Sequence, residues 1–222
     1  MVALAAALAL SSVQLRARDP IDGSVREYRG VPLRSLVPPG EGDGVLVRCE
    51  DGFVALLPLA TVERYGPVVA SAARDPGGAW HPIAAPRGPR FLAWPNVAHP
   101  GLDRDPAITS EGWAWAVASV ERVPLGAYLA PLTPGRATAA VARGRSLWLG
   151  SCFHCHAIHG AGGMAGWDLS EPLPLWRYLD ERGLAAYLRD PRAVNPDGHM
   201  PAQRLTAAER RDLFAFLHAA VR

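Results

Sequence analysis

Eleven consecutive residues, GSCFHCHAIHG at positions 150–160, hold two cysteines and three histidines. No other stretch constrains the fold so strongly. Sulfur and imidazole donors at that density belong to a metal or redox centre, and the backbone around them must present them to it. Within the stretch, Cys152-Phe153-His154-Cys155-His156 is a C-x-x-C-H run.

Three chemistries use such a run. Two thiols add across the vinyl groups of a porphyrin as thioethers, and the histidine after the second cysteine is carried under the iron. The same thiols with His154, His156 or His159 have the donor types of a tetrahedral zinc site. A dithiol pair also serves redox exchange, although a βαβ pattern is then expected nearby and none is seen. The far end of the chain favours haem. Asn195–Leu205 reads NPDGHMPAQRL, with Met200 followed by proline in a loop before the last helix. A thioether is a soft, neutral ligand for an iron that moves between two oxidation states. A His/Met pair also raises the reduction potential relative to two imidazoles. Core filling explains a methionine flanked by Gly198-His199 and Pro201 poorly. His199 and Met164 are the alternatives for the sixth position.

Cys49 is the one other cysteine, so a disulfide scaffold is not expected, and it reads as a small buried hydrophobe on a strand. The chain has 222 residues, is 49% hydrophobic and 20% charged, and carries a formal charge of +2. That is a globular composition with room for two modest domains and without the basic footprint of a nucleic-acid binder. All 23 basic residues are arginine. This reads as compositional bias, with carboxylate or propionate recognition as the functional alternative. No segment is apolar and long enough to span a membrane as a helix. MVALAAALAL has the length of a signal-peptide core but lacks preceding basic residues. It is expected to be a short helix of the first domain, with any export signal outside this sequence.

Two halves differ in pattern. Through residues 11–123, strand signals alternate with turns: Ser12–Ala17, an edge at Val25–Tyr28, Gly44–Arg48, Phe53–Leu59 and Ala114–Val120, with one short helix at Leu33–Leu36. This predicts a β-rich α+β domain over 1–123. Residues 124–136 (PLGAYLAPLTPGR) have a semi-rigid linker composition. From 137 to 222 the pattern is helical. Helices are expected at Ala139–Leu149, at Leu184–Leu188 and after Thr206, where Glu209 completes a capping box.

The rear half closely resembles a class I c-type cytochrome domain. The motifs are Gly144 and Trp148 on its first helix, CFHCH, Gly166-Trp167-Asp168-Leu169, Asp190-Pro191, Met200-Pro201 and LTAAERRDLFAFL. The resemblance implies an all-α domain with one haem c, held by Cys152 and Cys155 and ligated by His156 and Met200. It implies that Gly144 lets the last helix approach near Phe214. The family often has Gly-Pro-x-Leu where Gly166-Trp167-Asp168-Leu169 stands, and there the proline carbonyl accepts from the proximal histidine. Trp167 is expected to offer the same acceptor and to shield the haem. Arg177, Arg189, Arg192, Arg204, Trp176 and Tyr178 are candidates for propionate contacts, with solvent exposure as the plainer reading. His154 and His159 are expected to be exposed passengers.

Residues 12–123 are similar, in pattern, to the sulfite-oxidase-type molybdopterin-binding domain. The similarity rests on Tyr28–Leu36, Asp51-Gly52-Phe53, Gly88-Pro89-Arg90-Phe91, Trp94-Pro95-Asn96 and Trp113-Ala114-Trp115. In that family a cysteine before the G-V-P-L segment binds molybdenum. Here Cys49 comes after it, so a relative without molybdopterin is expected. Trp80, Trp94, Trp113 and Trp115 mark either an interface or core packing.

Both resemblances together imply an electron carrier on the periplasmic side. It would be docked to redox partner proteins or be part of a membrane-bound respiratory or photosynthetic complex, with no nucleic acid involved. The alternative is the haem-bearing part of a molybdenum-dependent oxidoreductase.

Overall fold

A computed structural model gives the fold and describes residues 2–3, 12–105, 108, 112–135 and 138–221. The chain divides into two compact units, Met1–Tyr128 and Leu129–Arg222.

The first unit is β-rich. In chain order it comprises β1 (Val2–Ala3), β2 (Val13–Arg18), β3 (Val25–Pro32), α1 (Leu33–Leu36), β4 (Gly44–Cys49), β5 (Val54–Pro58), α2 (Leu59–Tyr65), β6 (Val68–Arg74), β7 (Trp80–Pro82), β8 (Phe91–Ala93), β9 (Val117–Val123) and α3 (Leu125–Tyr128). One antiparallel sheet runs β1-β9-β4-β5. The other runs β2-β3-β6-β7, with β8 also paired to β6. The apolar faces of the elements meet in one core built on Tyr28, Leu33, Val45, Val47, Leu57, Val62, Phe91 and Trp94.

Several expectations shift here. Val25–Tyr28 continues to Pro32, and the strand lies between β2 and β6 rather than at an edge. Strand β6 was not anticipated, because VVASAAR is buried along most of its length and shows no clean alternation. Val2 and Ala3 form a strand paired to Val120 and Ser119, not the start of a helix; the rest of MVALAAALAL lies outside the described residues. Trp94 and Trp113 belong to the core and Trp115 packs on it, so core packing accounts for these three. Trp80 lies under the guanidinium of Arg29, 4.8 Å from its ring centre.

A buried ion pair ties the first unit together. Asp19, only 1% exposed, accepts from both terminal nitrogens of Arg87, at 2.9 Å for Nη2. It also accepts from the Tyr28 hydroxyl at 3.3 Å. Burial, with the Asp19 carboxylate beside it, pushes the Tyr28 hydroxyl up to about 12.

The second unit is helical: α4 (Ala139–Ser151), the two-residue strands β10 (Ala157–Ile158) and β11 (Ala161–Gly162), α5 (Glu181–Arg189), α6 (Pro191–Val194) and α7 (Ala207–Ala220), with a 3₁₀ turn at Leu175–Arg177. Helix α4 opens on Thr138, whose hydroxyl accepts from Val141 N. Helix α7 opens on the capping box of Thr206 and Glu209. The two helices cross where Gly144 has no side chain. A Cβ there would run into the Asp212 carbonyl and come within 2.8 Å of Phe216 Cβ. The close approach is therefore to Phe216 rather than to the expected Phe214, because Phe216 lies on the stripe of α7 that faces α4. Arg143 and Asp212 clamp the crossing with two hydrogen bonds of 2.6 and 2.9 Å.

Candidate functional site

The cysteine-rich stretch begins where α4 ends. Cys152 caps the helix, and its carbonyl accepts from both Cys155 N (3.1 Å) and His156 N (2.9 Å). One further turn of backbone thus draws Cys152, Cys155 and His156 together. No disulfide joins Cys49, Cys152 and Cys155. Burial pushes the Cys152 thiol up to about 12, with Cys155 adding to the effect. That is opposite to the activated thiolate of a dithiol exchange motif.

Beyond His156 the chain makes a tight hairpin. His159 (φ 51°) and Gly160 (φ 75°) form its two-residue turn between β10 and β11. The following loop then folds back over the motif. Gly163 N donates to Phe153 O at 2.8 Å, Gly166 N to Cys155 O at 2.7 Å, and Leu169 N to Ala157 O at 2.8 Å. Asp168 fastens this return. Its carboxylate accepts from Gly160 N at 2.8 Å and from the Ser170 hydroxyl at 2.6 Å, and these bonds hold it below the usual carboxylate range despite the cost of burial.

The return places two groups against the imidazole of His156. Gly166 lies flat on the ring: a Cβ there would sit 2.5 Å from Nδ1 and 2.8 Å from Nε2. Next to it, the Trp167 carbonyl lies 3.0 Å from His156 Nδ1. A carbonyl only accepts, so Nδ1 carries the proton. The lone pair of Nε2 is then left for a metal, the orientation that ligating histidines take from such a partner. Burial lowers the His156 pKa, and the Trp167 bond opposes it in part.

His154 is not at the exposed position expected of it, and His159 is exposed as expected but hydrogen-bonded. His154 is buried, 7% exposed, and packs edge-on against Phe153. His159 ties the hairpin to the end of the chain, with Nε2 3.0 Å from Ala220 O, while its backbone N donates to the Ser170 hydroxyl at 2.7 Å. Both are structural. The bonding of His159 had no local signal, because its partners lie in the return loop and in α7.

Met200 is half-buried in the loop between α6 and α7. That loop is pinned to the end of α5 by Gln203 N donating to Leu188 O at 2.7 Å. Of its two competitors, Met164 is 59% exposed and His199 is exposed. Arg177, Arg189, Arg192 and Arg204 are exposed, and their side chains make no hydrogen bond or ion pair among the described residues. Trp176 stacks on His218 at 3.9 Å, and its indole N–H is buried. Tyr178 meets Trp167 edge to face at 6.0 Å. The donor set present is thus two thiols and one oriented imidazole. Among the described residues no three His, Cys, Asp or Glu side chains gather as a zinc-type cluster would require.

Comparison with known proteins agrees with this geometry. Residues 141–220 match the sequence profile of the cytochrome c family, and this part of the chain is a cytochrome c domain. A curated relative is a nitric oxide reductase subunit from Cereibacter sphaeroides, 31% identical over 97 residues. The match takes in 40% of this chain and 65% of that protein. The family implies haem c, and both likenesses support haem-based electron transfer. No helix among the described residues is long and apolar enough to cross a membrane.

Proposed function

We propose that this protein is a one-electron carrier with a single haem c, working as the electron-delivering component of a membrane respiratory complex on its periplasmic side. Cys152 and Cys155 would hold the group through thioethers, and His156 and Met200 would ligate its iron. When bound, the haem supplies an iron that alternates between ferrous and ferric states. The observation that carries the reading is the bond from His156 Nδ1 to the Trp167 carbonyl. It fixes the tautomer and leaves Nε2 as a metal ligand, for which dithiol exchange gives no reason, while no third donor gathers among the described residues as a zinc cluster would require.

The chain's own residues do the rest. Gly166 leaves room for the imidazole. The α4–α7 crossing holds the base of the motif, and the loop pinned at Gln203 presents Met200. With imidazole and thioether both committed, no open position is left for a substrate, so the domain passes electrons and does not catalyse. Membership of a complex rests on the relative's name, which is that of a reductase component.

The first unit is read as a sulfite-oxidase-like fold without molybdopterin, serving as scaffold or docking module. Supporting this, Cys49 is 6% exposed in the core, and burial drives its thiol up to about 12, far from a thiolate ready to bind metal.

The test is a pyridine haemochrome assay and a visible spectrum of protein matured with the haem-attachment machinery, together with metal analysis. Stoichiometric haem c, a far-red thioether-to-iron band that disappears in Met200→Ala, and absence of molybdenum are expected. A colourless chain, or stoichiometric zinc, overturns the reading.

A further inference from the structure

Trp167 contributes its carbonyl to His156, yet its indole is 71% exposed in the protein alone. The side chain meets the ring of Tyr178, itself 47% exposed, edge to face at 6.0 Å. A large aromatic pair left open beside a ligand imidazole is the surface expected under a bound group or a partner. Its backbone is rigidly set. Gly166 N is bonded to Cys155 O, the Trp167 carbonyl to His156, and Asp168 to Gly160 and Ser170. The indole thus starts from a backbone fixed at the imidazole, and its ring contact is with Tyr178.

We propose that Trp167, backed by Tyr178, is an apolar cover over the imidazole side of the haem and holds the reduction potential up by keeping water from it. This rests on the haem reading. Trp167 is here a positioning residue twice over: its carbonyl orients His156 and its indole sets the polarity around the group. Apolar cover disfavours the more highly charged ferric state, so removing it lowers the potential. Because the carbonyl belongs to the backbone, a side-chain substitution separates the two roles: the His156 bond survives while the cover is lost.

The experiment uses the full haem-loaded chain. Oxidative footprinting with mass spectrometry compares the reactivity of Trp167 with that of Trp80 in the first unit. Redox titration then follows wild type, Trp167→Ala, Trp167→Phe and Tyr178→Ala. Expected results are Trp167 less reactive than Trp80, a fall in potential for Trp167→Ala, a smaller fall for Tyr178→Ala, and near-recovery with Trp167→Phe, all at unchanged haem content. If Trp167 is at least as reactive as Trp80, the indole faces solvent or awaits a protein partner, and the proposal fails. It fails equally if the potential of Trp167→Ala matches wild type. Should Trp167→Ala not load haem, footprinting of wild type and the Tyr178→Ala titration still decide. A wild-type chain without haem would instead sink the underlying reading.

Discussion

The two units solve the problem of a stable interior differently. The first closes one continuous apolar core from two sheets, and Leu33, Val45, Val47, Phe91, Leu92 and Trp94 are wholly hidden in it. The second relies on a single helix crossing at Gly144 and on loops returning over a short motif. It leaves Met164, Trp167, Leu173, Tyr178 and Val194 largely open. A domain with so much loop and so much open apolar surface gains stability from whatever it binds. Sheet pairing can thus make a unit self-sufficient, whereas on the proposed haem reading the smaller helical unit depends on a group it acquires.

The strongest way to break this contrast is to deny the second unit its group. Replacing both Cys152 and Cys155 with serine is expected to abolish covalent haem on a denaturing gel. It should also remove the cooperative melting of the second unit, with the first unit's transition unchanged. A second unit that melts as before would make it self-sufficient after all.

The first unit is sensitive elsewhere. Asp19→Ala leaves the Arg87 guanidinium, only 16% exposed, without its partner. Breaking a buried pair from one side costs about 3–5 kcal/mol, readable as a lower denaturant midpoint for that unit at unaltered haem content.

At the helix crossing, Gly144→Ala gains helix propensity of about 1 kcal/mol but forces a methyl into the Asp212 carbonyl. Overpacking of this kind costs about 1–3 kcal/mol. Because the obstacle is backbone, net destabilisation of the second unit is expected in denaturant unfolding followed by far-UV circular dichroism.

The smallest effect is in acid. The Arg143 hydrogen bonds hold Asp212 below the ordinary aspartate range, and Thr206 does the same for Glu209. For a carboxylate depressed in the folded state, the stabilisation is complete above its unfolded pKa and is lost as pH falls through the folded one. The second unit should therefore weaken as pH drops below the normal carboxylate values near 3.8 and 4.5. Arg143→Gln should flatten part of that slope in pH-dependent melting. An unchanged slope would remove the clamp from the account.

Legibility tracked how local the cause was. The capping box at Thr206 and Glu209 involves neighbours three residues apart, and α7 formed as its pattern predicts. Strand β4 over Gly44–Cys49 and helix α1 over Leu33–Leu36 were equally plain. Strand β6 hid because burial on both faces erased its alternation, and α2 hid because LATVERY follows directly on a strand. The burial of His154 and the bonding of exposed His159 are set by the folded domain, as with Ala220 O for His159.

The amino-acid order alone determined the chemistry on offer: two thiols and an imidazole in one pentapeptide, a thioether in a late loop, and a change of period between the halves. Those are properties of residue type and spacing, which survive in an unfolded chain. Only the tertiary structure decided that His159 bonds to Ala220 O, that Gly144 meets Phe216, and that Asp19 is buried against Arg87. Each joins segments that sequence spacing leaves unrelated, and hydrogen-bond direction and close packing act only once folding has brought them within a few ångströms.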